Sequence, residues 1–91
     1  MRDLIFSVFD KKAQVYMGMF TKQSVAAAER DFHFMVNDSD RRNLMALFPN
    51  DYRLDYLGHL DTDTGLLVPL PHIVLLVEAA TILKLQSFSP D

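Results

Sequence analysis

The sequence predicts an α+β fold in which a small antiparallel sheet, with elements in the order β-β-α-β-β-α, carries one or two packed helices. Two short runs of aromatic and branched apolar residues open the chain, a run with helical spacing follows, and a longer alternating run comes next. The chain has 91 residues, of which 49% are hydrophobic, which suits one domain with one core. We therefore expect a single α+β domain over residues 1–86 and a short C-terminal tail over residues 87–91.

The first two predicted strands form a hairpin. Leu4–Phe9 and Val15–Phe20 are rich in aromatic and branched apolar residues, and the polar Asp10–Ala13 connects them. Apolar side chains occupy both faces of the second strand. One face is therefore expected to join the core, and the other to be covered or to offer aromatic rings to a ligand.

A helix is predicted after this hairpin, because apolar residues recur at helical spacing at Val25, Ala28, Phe32, Met35 and Val36. Thr21 and Ser24 are both candidates for its N-cap, since either hydroxyl can accept a hydrogen bond from a free backbone N–H. The polar Asn37–Asp40 is expected to end the helix. Asp40 is then placed to cap one or two further helical turns before Pro49.

A second hairpin is predicted from the alternation of Tyr52–Leu60, which is typical of a half-buried strand. A tight connection follows, in which Gly65 is free to adopt positive φ. Leu66–Leu70 is expected to return as a strand, and Pro69 places its end at an edge of the sheet, because proline cannot donate a ladder hydrogen bond.

The segment Ile73–Leu85 fits two structures. Its branched residues suit a strand, whereas its length and the pair Ala79 and Ala80 suit a helix, and we expect the helix. The segment is interrupted by polar residues and is too short to span a bilayer, so no membrane contact is expected.

Residues with catalytic or metal-binding chemistry form no motif. The chain has no cysteine, and His33, His59 and His72 lie in three different predicted elements without ligand spacing. Asp61 and Asp63 resemble the start of a calcium loop, but the rest of that loop is missing, so a polar turn explains them better. There is also no phosphate-binding glycine loop. We therefore expect a protein that is not an enzyme and needs no cofactor or metal.

Aromatic residues beside basic ones leave nucleic-acid binding open. The formal net charge is −3, but residues 1–53 hold eight Lys and Arg against seven Asp and Glu, so any contact with phosphate belongs to that part. Single-stranded DNA is bound by cations along its backbone and by rings that stack on its bases. The candidates for phosphate contact are Lys11, Lys12, Lys22, Arg41, Arg42 and Arg53, and those for stacking are Tyr16, Phe20, Tyr52 and Tyr56. The alternative is that the rings belong to the core and the cations are merely solvated.

Several segments together resemble a known family. They are FSVFDKKAQVY at 6–16, AERDFHFMVND at 28–38 and FPNDYRLDYLGHLDTDTG at 48–65. The family is the small non-structural protein of gokushovirus-type microviruses, which are single-stranded DNA bacteriophages. Its members resemble this chain in a D-K-K/R-A-Q-like turn, a helix ending near V-N-D, a Y-x-L-x-x-L/I-G strand and an acidic D-x-x-T-G turn. The resemblance covers most of residues 4–65.

The resemblance implies a non-structural phage protein of the host cytoplasm that binds single-stranded DNA and supports viral genome synthesis or packaging. It supplies no catalytic residue. We also expect a homo-oligomer, a dimer or larger, because repeating a local basic patch around a symmetry axis would concentrate it. The alternative function is a non-enzymatic protein-interaction module, an adaptor for viral assembly or for host replication and packaging proteins, which the apolar surplus suits equally well.

Overall fold

The computed structural model describes residues 1–83, which form one antiparallel sheet and a layer of short helices. The strands are β1 (Arg2–Asp10), β2 (Val15–Tyr16), β3 (Phe20–Lys22), β4 (Tyr52–Asp61) and β5 (Leu67–Glu78). The helices are α1 (Val25–Val36), α2 (Leu44–Leu47) and α3 (Ala79–Ile82), and a 3-10 turn spans Pro49–Asp51.

The sheet has the order β2-β1-β4-β5, and β3 pairs with β1 on the same side as β2. All pairs are antiparallel, so β1 and β4 occupy the centre and β5 forms one edge. The other edge is shared by β2 and β3. This arrangement confirms the predicted α+β class with an antiparallel sheet.

The core lies between the sheet and the helices. Its fully or nearly buried apolar members are Phe6, Val8, Ala28, Phe32, Val36, Tyr52, Leu54 and Ala79. Helix α1 places its apolar side against the sheet because its buried residues recur at positions four apart. It begins at Ser24, whose hydroxyl accepts a hydrogen bond from the Ala27 N–H at 3.1 Å. Thr21, the other candidate cap, lies in β3.

The second predicted strand, Val15–Phe20, is wrong as a continuous element. It is split into β2 and β3, and the intervening Met17–Met19 leaves the ladder at Gly18, where φ is +75°. The Ser7 hydroxyl of β1 donates a hydrogen bond to the Gly18 carbonyl. This bond gives a partner to a carbonyl that a regular strand would have paired along the ladder.

The predicted helix over Ile73–Leu85 is wrong as far as the described residues extend. Strand β5 continues to Glu78, and only Ala79–Ile82 is helical. Strand β4 pairs with Val74, Leu75 and Val77 of this segment. These hydrogen bonds to a strand that is distant in sequence outweigh the local helical spacing. The rest of that segment and the predicted tail 87–91 lie outside the described residues. The cap of α2 also differs, because the Asn43 side chain, and not Asp40, accepts the hydrogen bond from Met45 N–H.

Strand β5 carries a large bulge. Tyr56 pairs with Val74 and Gly58 pairs with Pro69, so one residue of β4 stands opposite the four residues 70–73 of β5. Beside the bulge, the β5 backbone passes directly over Gly58: a Cβ placed there would lie 2.9 Å from Pro69 Cα. The position therefore requires a glycine for close approach.

Candidate binding surface

The face of the sheet opposite α1, here termed the open face, has no helix over it in the described part of the chain. Two depressions of about 770 and 290 Å³ lie on it and meet at Leu57 and Pro69. Together they form a groove. Its lining residues are Ile5, Tyr16, Met19, Leu57, Gly58 and residues 67–73.

The two sheet edges produce this groove. On one side, the Met17–Met19 excursion brings Met19 to the rim, where it is 68% exposed. On the other side, the β5 bulge raises residues 70–73 beside Leu57. Most lining residues are apolar, and the titratable side chains among them are Tyr16 and His72.

A polar cluster lies beside the groove on the same face. Asp55 is fully buried, and its carboxylate accepts hydrogen bonds from the Tyr16 hydroxyl at 2.7 Å and from Arg53 Nε at 2.9 and 3.2 Å. The Arg53 guanidinium lies 4.5 Å from the centre of the Phe9 ring. Burial and then the hydrogen bond to Asp55 raise the pKa of Tyr16. Because Arg53 neutralises Asp55, the cluster carries no net charge.

Most of the predicted phosphate-contacting cations already have carboxylate partners. Lys11 Nζ lies 2.6 Å from Glu78 Oε1, Lys22 pairs with Asp31, Arg42 Nε lies 3.6 Å from Asp40 Oδ1, and Arg53 pairs with Asp55. Lys12 and Arg41 are exposed and have no ion pair within residues 1–83.

These cations do not form one patch. Lys22 stands opposite Leu4 near the start of β1, whereas Lys11 follows Asp10 at its other end. Six residues of strand separate the two ends, which is about 20 Å. Arg41 and Arg42 lie in the turn between α1 and α2. The structure therefore brings Arg53 and Tyr16 together, and it places Lys11 at the same end of the sheet, because its partner Glu78 stands opposite Arg53. Lys22, Arg41 and Arg42 lie elsewhere.

The four predicted stacking rings divide between the two faces. Tyr52 is only 4% exposed in the core, and Tyr56 and Phe20 stack on Phe6 with ring centres 5.3 and 5.8 Å apart. These three rings pack on the helix-covered side. The burial of Tyr52 closes it to a base, whereas base stacking by the half-buried Tyr56 and Phe20 stays a prediction. Tyr16 lies on the open face and is 38% exposed.

Sequence analysis missed Asp55, Phe9 and the β5 bulge as parts of this surface. The signal for Asp55 was a carboxylate on the second face of an alternating strand, two residues after Arg53, because such residues share a face. The bulge has no comparable local signal except for Pro69 and Pro71. The three histidines do not come together, and in residues 1–83 no group of His, Cys, Asp or Glu side chains is arranged to hold a metal ion.

A different groove lies between α1 and β5, with a volume of about 460 Å³. It carries charges of both signs from Glu29 and Arg30, together with His33 and the 71% exposed Phe34. As for membranes, no helix within the described range has the length and apolar character needed to cross one.

Comparison with known proteins identifies the family of this chain. A family model described as "Phage ORF5 protein" matches residues 3–82, most of the chain. The chain belongs to the Phage ORF5 protein family. It is 34% identical to Protein ORF5 of Chlamydia phage 1 over 67 residues, covering 71% of this chain and 70% of that protein. No solved structure matches the chain. The predicted resemblance to a small gokushovirus-type microvirus protein is thereby confirmed.

The motifs that carried the resemblance to the Phage ORF5 protein family have structural roles. In the first turn, Asp10 Oδ1 accepts hydrogen bonds from the N–H groups of Lys12 and Ala13, both at 3.0 Å. Gln14 then takes the left-handed conformation, with φ of 62°. At the end of α1, Asn37 Nδ2 donates to the carbonyls of His33 at 2.9 Å and Ile82 at 3.0 Å, which ties α1 to α3.

The later motifs shape the open face. Gly58 of the L-G pair permits the close approach of β5, as described above. In the acidic turn, Asp61 Oδ1 accepts a hydrogen bond from the Asp63 N–H at 2.9 Å, and Gly65 has φ of 77°. Hydrogen bonds from the backbone of Asp63 and Thr64 lower the pKa of Asp61, the first being the largest cause. The motifs thus describe turns and packing.

Proposed function

We propose that this Phage ORF5 family protein is a non-enzymatic interaction protein that supports genome synthesis or packaging of a single-stranded DNA phage in the host cytoplasm. It does so by contacting proteins through its open face. The process is what the resemblance to the small microvirus protein implies. The mode of action follows from one observation: the exposed side of the sheet is an apolar groove without a charged residue in its lining.

The chemistry of the groove supports a protein partner over a nucleic acid. A nucleic-acid surface needs cations to neutralise phosphates, and the nearest cation on this face, Arg53, already compensates the buried Asp55. The groove instead exposes apolar side chains that lose contact with water on association, as at protein interfaces. Leu67 is 63% exposed and Ile73 48% exposed.

A photo-crosslinking experiment tests this proposal. A photoreactive benzoylphenylalanine replaces Met19 in one variant and Phe34 in the other, since the two residues are 68% and 71% exposed on opposite sides of the sheet. In infected host cells, we expect protein adducts from position 19 that mass spectrometry identifies as a second copy of this chain or as a protein of viral assembly or of replication and packaging. Equal labelling from both positions, or no protein adduct at position 19, would overturn the proposal.

Direct binding of single-stranded DNA is the second candidate, and the turn between β1 and β2 favours it. That turn exposes Lys12 four residues before the partly exposed ring of Tyr16. The ion pairs of Lys11, Lys22 and Arg42 are at the protein surface. Such pairs contribute little stability, so a phosphate can displace the carboxylate at low cost.

Fluorescence anisotropy of a labelled single strand of about 30 nucleotides, a few binding sites long, tests the second candidate. We expect saturable binding that weakens with salt and exceeds binding to duplex. Lys12→Ala should weaken it, whereas Arg30→Ala, which removes an exposed cation from α1, should not. Absence of binding at tens of micromolar protein in low salt would exclude direct DNA binding.

A further inference from the structure

We infer that the open face is the interface for a second copy of this chain, with two sheets packed face to face across a two-fold axis. The inference rests on the proposed function, because it assigns an occupant to the same surface. In the resulting dimer the helices form the two outer layers and the sheets the two inner ones.

The architecture of one chain favours this arrangement. An antiparallel sheet that has one face on a core and the other in water commonly carries polar side chains on the second face. Here the second face exposes Met19, Leu67 and Ile73, while Ile5 on the same face is already buried at 7% exposure. Stacked sheets lie about 10 Å apart. At that distance, side chains at the rim of one groove reach the depression of the other.

The charge distribution favours a second copy as the occupant. In a two-fold interface the same patch meets itself, so charged residues near the axis face like charges. The chain carries a net charge of −3, so two copies repel weakly at long range, and like charges within the contact surface would add to this repulsion. The open face avoids this addition, since the Arg53 and Asp55 side chains compensate each other beside a groove lined by uncharged residues.

The size of the surface is compatible with a dimer. Five apolar or aromatic side chains on the open face are between 38% and 68% exposed: Tyr16, Met19, Leu67, Ile73 and Leu75. Leu75 is included because it stands directly opposite Asp55 in the ladder. At on the order of 200 Å² for one fully exposed large side chain, the five present roughly 550 Å². That is near the upper end of the range for the largest patch on a monomer, roughly 300–600 Å², and is about two-thirds of the roughly 800 Å² per partner of a stable interface.

The sheet edges do not offer the alternative of strand addition. Strand β5 is irregular at residues 70–73 and again at the step from Leu54 to Asp55 of its partner strand. It also carries Pro69 and Pro71. On the other edge, β2 and β3 are interrupted at Met17–Met19. Bulges, prolines and short strands all disfavour edge-to-edge pairing, so self-association through the sheet would use its open face and not its edges.

Sedimentation equilibrium on the purified chain tests this inference with Met19→Glu and Phe34→Glu as a matched pair. Both replace a large apolar side chain of nearly equal exposure, at 68% and 71%, so their effects on the monomer should be alike. We expect a wild-type dimer at micromolar concentration. Met19→Glu sets two new like charges in the interface and should raise the dimer Kd at least about 30-fold, whereas Phe34→Glu should change it less than about threefold.

Pulsed spin-label distances give a readout that does not depend on disrupting the dimer. The chain has no cysteine, so Met19→Cys and Phe34→Cys each carry a single label. In a face-to-face dimer, the two labels at position 19 lie closer together than the two at position 34. The opposite order would overturn this geometry.

A wild-type chain that stays monomeric at several hundred micromolar would overturn the inference, as would equal effects of the two glutamate variants. The crosslink at position 19 separates this failure from that of the proposed function. Adducts with an identified viral or host protein, in a chain that stays monomeric, mean that another protein occupies the open face. If position 19 forms an adduct neither with a second copy of this chain nor with another protein, both proposals are wrong.

Discussion

Substituting Gly58 perturbs the wall of the groove directly. In Gly58→Ala, the new Cβ would lie 2.9 Å from Pro69 Cα and 3.1 Å from the carbonyl carbon of Val68, and it would lie closer still to the Val68 carbonyl oxygen. Carbon atoms in ordinary contact are about 3.5–4.0 Å apart. All of these neighbours are backbone atoms, so a side-chain rotation cannot relieve the overlap, and β5 must move.

The expected cost is that of overpacking, about 1–3 kcal/mol of unfolding free energy. For a domain of this size each kcal/mol lowers Tm by about 4–8 °C, so a loss of roughly 5–20 °C is expected. Urea denaturation followed by circular dichroism measures the free energy, and the thermal scan gives Tm. The dimer Kd should rise as well, because Val68 and Pro69 line the groove.

Gly65 provides the control, because its requirement for glycine has a different cause. Its φ is 77°, and a Cβ there would meet no atom within 4 Å. Gly65→Ala should therefore cost about 1 kcal/mol, the penalty of the left-handed conformation, and Gly65→Asn should cost less. At position 58, Asn should be worse than Ala. A Gly58→Ala protein with wild-type stability would refute the assigned close approach of β5.

Three further outcomes are expected. Asp55→Ala should destabilise the fold by about 3 kcal/mol in denaturation, because it leaves the Arg53 guanidinium without its buried partner, and Asp55→Asn should cost less; equal losses would contradict this. Ser24→Ala should cost about 1 kcal/mol by removing the hydrogen bond that caps α1, and a change below 0.3 kcal/mol, well under the usual cap contribution, would argue against that cap. The raised pKa of Tyr16 shows that folding favours its neutral form. The contribution of neutral Tyr16 to the free energy of unfolding is therefore intact below about pH 10, and it is lost as the pH rises through the folded pKa. Denaturation midpoints between pH 9 and 11 should therefore fall less steeply in Tyr16→Phe, and an unchanged slope would contradict the assignment.

The spacing of apolar residues correctly predicted the strands and the helix in which only one pattern is present. Leu4–Phe9 and Tyr52–Leu60 lie within β1 and β4, and the apolar spacing from Val25 to Val36 coincides with α1. The segment after Pro71 carried two patterns of similar strength. Pairing with β4, which is distant in sequence, decided between them in favour of a strand.

The candidate surface could be predicted only in part. Alternation placed Tyr52 and Tyr56 on one face, but it could not reveal that this face carries α1. Tyr16 was identified, yet its hydroxyl partner Asp55 lies 39 residues away. Gly58 belonged to a recognisable motif, but the reason for a glycine there depends on where the β5 bulge falls.

The interruptions on both edges of the sheet limit how many copies can assemble. An open edge lets each added chain present a fresh edge to the next, so growth continues into fibres as the protein accumulates. Here the outermost strands are broken at Met17–Met19 and at residues 70–73. A face that pairs across a two-fold axis is buried in both copies once the first pair has formed, so it cannot bind a third copy. If the inferred dimer forms, assembly should therefore stop at the pair as the protein concentration rises, and it should not continue to a polymer.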